Sequence, residues 1–319
     1  MKLIKELGAG FTKRAFLYEK EDGEKVVVLK PINKSRRRWF SWQTSQESNI
    51  TQKLPPMRCN VRTLRVRKVK GEWEVIGNFV EGEPLSRRLY ESLDPQKQAQ
   101  LITDFADFLI NLNLMNISKL DERYADEVDK ITLPHILGGI YFKLYCWKRH
   151  FLSLNKPWKN PYNNRKYVIS KKLNYERCQC TPREIEQIEK VLRAVDARPD
   201  IFSYIGVCYH DFKDLNFLYD RKTARLGALD LCCLYKHSIY YQFAAIYTWI
   251  GKNFTQALVH RYNELAKERD VHLPKCKAYP LVVEFRMVQH LAVLRSFLDL
   301  PPWADPLRDE LTQLLDDLY

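Results

Sequence analysis

Apolar and polar positions alternate in short, strand-length runs through the first eighty residues. Residues 3–18 read as strand, turn and strand, with Gly8 and Gly10 in the turn. Glu21-Asp22-Gly23-Glu24 makes a good hairpin turn, and the run from Val26 to Leu29, ending at Lys30, reads as a buried strand. Residues 61–69 and 73–80 alternate around Lys70-Gly71, which predicts a further hairpin. Between these elements, residues 44–54 read as a helix stopped by Pro55-Pro56. The basic, aromatic stretch just before it, with Arg36, Arg37, Arg38, Trp39, Phe40 and Trp42, is expected to be a loop over the sheet. Contact of that stretch with an anionic membrane, a glycan or nucleic acid is the alternative.

Beyond residue 83 the period lengthens. Leu101, Phe105, Phe108, Leu109 and Leu112 fall at helical spacing, and 117–205 is a long, mostly helical stretch. Its clearest helices are 136–147 and 182–195, with a loop at 156–164. Phe217, Leu218, Leu226, Ala228, Leu229 and Leu231 then bracket a polar turn, so strand periodicity returns as a short hairpin. Helices are expected at 239–250, 254–269, 281–298 and 307–318. The pattern predicts an α+β fold: a strand-rich part at 1–83 and a helical part at 84–319 carrying an insert at about 117–205.

Charge sharpens this picture. The 319 residues carry a net charge of +13. Residues 1–83 hold 18 Lys and Arg against 10 Asp and Glu, and residues 141–190 hold 12 against 4, so the remainder is slightly acidic. Two basic segments attract anions such as nucleotide phosphates, an acidic acceptor, anionic lipid or nucleic acid, with a solvated basic face as the alternative; of these, nucleic acid is not an expected partner. No apolar run reaches membrane-spanning length, and the opening residues lack a signal peptide's apolar core. The eight cysteines are scattered, as free thiols of a reducing cytoplasm would be, and Cys178 and Cys180 lack further metal ligands nearby. A cytoplasmic location is expected, with peripheral contact at an inner membrane left open.

Candidate chemistry concentrates at 209–231. Asp211 is followed five residues on by Asn216, and Asp230 lies beyond the hairpin. A carboxylate and an amide oxygen suit Mg²⁺, which takes few protein ligands alongside substrate phosphates. Asp211 is then available to receive a proton from an attacking hydroxyl.

This stretch resembles the catalytic and metal-binding loops of protein-kinase-like phosphotransferases, whose catalytic loop reads His-Arg-Asp-x-x-x-x-Asn. Asp211 and Asn216 match that aspartate and asparagine, Lys213 falls where many kinases carry lysine, and Asp230 matches the aspartate of Asp-Phe-Gly. Tyr209-His210 replaces the usual His-Arg, and Leu231-Cys232 follows Asp230 without a glycine. Absence of that glycine, and the long insert, are similar to the aminoglycoside phosphotransferase and choline kinase branch. The resemblance implies a bilobal kinase-like fold and transfer of the ATP γ-phosphoryl group, with Mg²⁺, to a hydroxyl of a small molecule or sugar. It also implies that Gly8 and Gly10 cover the phosphates, that Lys30 binds them, and that Glu47 pairs with Lys30. The phrase from Asn78 to Leu85 looks like the branch's hinge, which places Phe79 and Val80 beside adenine. A lipopolysaccharide-core or lipid-linked sugar kinase, a protein kinase and a non-catalytic binding module stay open as alternatives.

Overall fold

The computed structural model describes residues 1–115 except 11, 34–35 and 70–71, residues 181–190 except 184 and 188, and residues 205–271 except 210 and 233. The chain divides into two compact units: Met1–Trp147 with Asp211–Leu234, and Lys148–His210 with Tyr235–Tyr319.

The first unit opens with a five-stranded antiparallel sheet. Its strands are β1 (Lys2–Ala9), β2 (Lys13–Glu19), β3 (Lys25–Pro31), β5 (Leu64–Val69) and β6 (Glu72–Asn78), in the order β1-β2-β3-β6-β5. The β2–β3 turn is closed by the Lys20 N–H on the Glu24 carbonyl at 2.8 Å and the Gly23 N–H on the Lys20 carbonyl at 3.1 Å. Gly23 supplies the positive φ, 82°, that this turn needs. The turn fixes the register, so Lys13 lies opposite Pro31 and Arg14 opposite Lys30. Opposed residues share a face and successive ones alternate. Arg14, Phe16 and Lys30 therefore share one face, while Lys13, Ala15 and Leu29 share the other.

That second face holds the core of Val27, Leu29, Phe40, Leu64 and Val75, with Ala15, Val66 and Phe79 packed against it. Phe40 comes from helix α1 (Arg37–Thr51). The helix begins seven residues before the expected start at 44, so the basic, aromatic stretch forms its first turns and is not a loop. The side chain of its N-cap residue, Arg36, makes no capping bond and no acid occupies its first turn, so the usual start signal is missing. Asn33 does the local work instead, its Oδ1 accepting the Arg36 N–H at 3.0 Å.

The expected continuous strand at 61–69 is broken. β4 (Asn60–Val61) pairs in parallel with β10 (Arg225–Ala228), whereas β5 pairs with β6. Arg62 and Thr63 form the break. The Arg62 N–H donates to the Ala228 carbonyl at 3.0 Å, and the Thr63 N–H donates to Asn78 Oδ1 at 2.6 Å.

The predicted hairpin forms as β9 (Phe217–Asp220) and β10, the centre of a second sheet ordered β4-β10-β9-β7. Asp220 shapes its turn by accepting from the Lys222 N–H at 2.9 Å and Thr223 Oγ1 at 2.7 Å. β7 (Glu83–Pro84) lies at the sheet edge, where proline's missing donor is tolerated. Helix α2 (Arg87–Glu91) is capped by Ser86, and α3 (Pro95–Asn113) by Asp94 with Pro95 in its first turn. Leu101, Phe105, Phe108, Leu109 and Leu112 are all buried, as their spacing predicted. Each such side chain contributes roughly 1.5–3 kcal/mol of burial.

In the second unit, β8 (Ile205–Tyr209) and β11 (Leu234–Ser238) form a two-stranded sheet, and α4 (Ile239–Ile250) and α5 (Lys252–Glu268) follow. β11 was not foreseen; the two helices fall where expected. Gly251 (φ 101°) separates them, and Phe243 meets Tyr262 edge to face at 5.2 Å. Residues 182–183, 185–187 and 189–190 are helical, as expected. The expected helices at 136–147, 281–298 and 307–318, the loop at 156–164, most of the insert, Cys178, Cys180 and His210 lie outside the described residues. Among the described residues, no helix is long and apolar enough to cross a membrane.

Candidate active site

The turn from Asp211 to Asn216 is fixed at both ends. The Asn216 N–H donates to the Lys213 carbonyl at 3.0 Å. Its side-chain Nδ2 donates to the Asp211 carbonyl at 2.8 Å and to Asp211 Oδ2 at 2.9 Å. Lys213 Nζ reaches the same Oδ2 at 2.6 Å. Both side-chain donors fall on Oδ2, so the carboxylate is oriented with Oδ1 turned away from them. Beneath the turn, Phe212 stacks on Phe217 with centroids 5.5 Å apart and rings 10° from parallel. Phe217 in turn lies 5.1 Å from Phe105 and edge-on to Phe108 at 5.7 Å, which anchors the loop on α3.

The hairpin returns the chain to this loop, where the Leu229 N–H donates to the Asn216 carbonyl at 2.8 Å. Asp230 follows in the left-handed region, with φ 57°. A non-glycine residue held there is strained, and such residues gather at functional sites. Its N–H donates to Glu47 Oε1 at 3.0 Å. Its Oδ1 accepts from Lys13 Nζ at 2.6 Å and from Cys232 Sγ at 3.2 Å.

Glu47 is fully buried and collects three partners. Besides the Asp230 N–H, Lys13 Nζ lies 3.1 Å from its Oε2, and Arg62 Nη2 and Nε lie 2.7 and 3.2 Å from its Oε1. Lys13, Arg62, Glu47 and Asp230 together form a cluster of two cations and two anions. Burial works against the charge on Asp230, but Lys13 and Arg62 outweigh it and hold the carboxyl at about 2. Burial likewise opposes the charge on Lys13 and on Arg62, and the attraction of Glu47 and Asp230 overcomes it and raises both.

The expected Lys30–Glu47 pair is not formed. Lys30 Nζ sits 5.4 Å from the centre of the Phe16 ring, on the sheet face shared with Arg14. Glu47 belongs to α1, which packs on the opposite face, so β-strand parity gives the pairing to Lys13. The run before Lys30 is buried on both faces and shows no alternation that would reveal its facing. The hairpin turn at residues 20–24 was the available signal, because its register sets Arg14 opposite Lys30. Arg62 was missed because the break in the 61–69 run depends on pairing with residues more than 160 positions away.

Among the remaining expected residues, Gly8 lies at a register shift of β1, and the Gly10 N–H donates to the Lys13 carbonyl at 2.8 Å. The glycine turn thus delivers Lys13 directly into the cluster. Thr12, in the same turn, is tied by its hydroxyl to Gln43 of α1. Phe79 is packed against the core of the first sheet. Val80 is buried where a side chain at Gly227 would have its Cβ 2.5 Å from the Val80 Cγ1. At Gly82 (φ 137°), a Cβ would come within 2.9 Å of the Tyr219 backbone.

The chain matches the model of a phosphotransferase enzyme family over residues 4–279. It belongs to that family. No curated protein is a match in sequence. Among solved structures, the GDP complex of aminoglycoside 2'-phosphotransferase-IIIa is similar at a TM-score of 0.60 and 14% identity, over 99% of this chain and 92% of that one. The streptomycin–ATP–APH(2")-IIa ternary complex gives 0.53 and 18%, over 99% and 91%. An APH(4)-Ia variant with AMP-PNP and hygromycin B gives 0.53 and 11%, over 99% and 92%. These likenesses establish the fold: α+β, bilobal and protein-kinase-like, as the sequence predicted. The phosphotransferase is a kinase, moving a phosphoryl group to a hydroxyl acceptor.

Proposed function

We propose that this phosphotransferase transfers the γ-phosphoryl group of ATP, loaded with Mg²⁺, to a hydroxyl of a small molecule or sugar. The observation that carries the reading is the pair of loops joined through Leu229 and Asn216, with the Asp211 carboxylate oriented and Asp230 tied to Lys13 and Glu47. Nucleotides of both bases accompany the similar structures, so ATP is our choice on the family resemblance.

Asp211 Oδ1 accepts the proton of the acceptor hydroxyl, which orients that oxygen for in-line attack. Lys213 balances charge beside it. Lys13, rather than Lys30, binds the nucleotide phosphates, with Glu47 holding its ammonium. Backbone at Gly8 and Gly10 lies over the phosphates, and backbone near Phe79 and Val80 meets the base. The 1–83 part carries the nucleotide, and 84–319 with its insert carries the acceptor.

The residues fit Mg²⁺ in donor chemistry. Asn216 spends its amide nitrogen on Asp211, so its oxygen is the end turned away, and Asp230 adds an ionised carboxylate. Among the described residues no group of three or more His, Cys, Asp or Glu side chains is arranged to hold a metal. A two-ligand site suits an ion that arrives with phosphates. When bound, the ion would neutralise charge on the transferring phosphoryl oxygens.

Asp211→Asn tests the reading. Turnover should fall at least about 100-fold, the scale of a lost general base, while ADP binding measured by calorimetry stays within about threefold. A variant that keeps its turnover removes Asp211 from the mechanism.

A further inference from the structure

Glu47 needs no cation besides Lys13 in order to hold it, yet Arg62 supplies a second. Arg62 is buried, 6% exposed, and grips Glu47 Oε1 through two nitrogens at 2.7 and 3.2 Å, whereas Lys13 reaches the other oxygen through one, at 3.1 Å. Lys13 lies closer to Asp230, at 2.6 Å. Arg62 is fixed independently of its side chain, since its own N–H is bonded to Ala228 two residues before Asp230.

We infer that Arg62 is a positioning residue: it acts as the permanent counter-cation of Glu47, so that Lys13 can turn from Asp230 to the incoming phosphates without leaving Glu47 as a buried, unpaired anion. This rests on the nucleotide-binding reading above. A buried carboxylate stripped of its cation is strongly disfavoured. With Arg62 absent, Glu47 keeps Lys13 for itself, and the ammonium is lost to the phosphates. With Arg62 present, Glu47 Oε1 stays aimed at the Asp230 N–H, which keeps the metal-binding residue in its left-handed conformation.

The test compares wild type, Arg62→Gln, Arg62→Lys, Glu47→Gln and the Glu47→Gln/Arg62→Gln double variant, titrated with ADP and Mg²⁺ by calorimetry on folded, monodisperse protein. Arg62→Gln should weaken ADP binding by about tenfold or more, the size of a lost charge-assisted hydrogen bond. Arg62→Lys should recover part of that loss. The double variant should bind no worse than Arg62→Gln, because a neutral amide in place of the Glu47 carboxylate no longer needs a counter-cation. Unchanged ADP affinity in Arg62→Gln, or losses that add in the double variant, would overturn the proposal, since a purely structural role lowers the folded fraction without this coupling. Should Arg62→Gln fail to fold, the Arg62→Lys and Glu47→Gln affinities decide: wild-type binding by both overturns it. Failure of the wild type itself to bind any nucleotide would count against the function reading rather than against Arg62.

Discussion

Replacing Lys13 and Lys30 separately by methionine gives the sharpest test of the strand-parity argument, because the two lysines lie near each other on adjacent strands but on opposite faces. Lys13 makes two short ion pairs and its side chain is only 12% exposed. Removing one partner from a buried ion pair costs about 3–5 kcal/mol. Asp230 remains partly open to solvent and bonded to Cys232, and Glu47 keeps Arg62, so roughly 2–3 kcal/mol of folding stability is the reasoned loss. Loss of the proposed phosphate contact should weaken ADP binding by about 10- to 100-fold. Lys30 is exposed and its one described contact is the Phe16 ring, an interaction worth about 0.5–1 kcal/mol at such sites. Lys30→Met should therefore leave ADP affinity within about threefold. Urea denaturation reads the stability and calorimetric titration reads the affinity. Wild-type ADP binding in Lys13→Met together with its loss in Lys30→Met would refute the assignment.

Two further outcomes follow from the geometry. Gly82→Ala places a Cβ within 2.9 Å of the Tyr219 backbone at a φ of 137°, so the segment entering β7 must shift; a loss of at least about 2 kcal/mol in urea melts is expected. Asp230 is held at about 2 against an ordinary 3.8. A depressed carboxyl contributes stability above its unfolded value and loses it as pH falls through the folded one. The stability gap between wild type and Asp230→Asn should thus be full above pH 3.8 and shrink towards pH 2 in acid-titrated melts. A gap that stays constant across that window would count against the ion pair.

Much of the architecture was readable because it rests on local signals. The turns at residues 20–24 and 221–224, the apolar stripe of α3 and the Asp211–Asn216 spacing all depend on neighbouring residues, and all form as expected. What escaped depends on partners far along the chain. Val26 to Leu29 are buried on both sides, so their hydrophobicity hides which way Lys30 faces. The N-cap residue of α1 makes no side-chain capping bond, so its first turns looked like loop. Val61 leaves the run it appears to begin because Ala228 pairs with it. Arg62 stands at that junction, and nothing in its immediate neighbours marks it.

The separation of these partners has a bearing on how the protein is made. Lys13 and Asp230 are 217 residues apart, and β4 and β7 each pair with strands of a hairpin that begins at Phe217. Closing so long a loop is costly in chain entropy and slow compared with local pairing. During synthesis the first sheet and α1 emerge well before the hairpin. Until Asp230 leaves the ribosome, Glu47 lacks one donor, Lys13 lacks its nearer anion, and β4 and β7 lack a neighbour. The first eighty residues are thus no self-sufficient module: their ionic centre is completed only when the chain has come back to them.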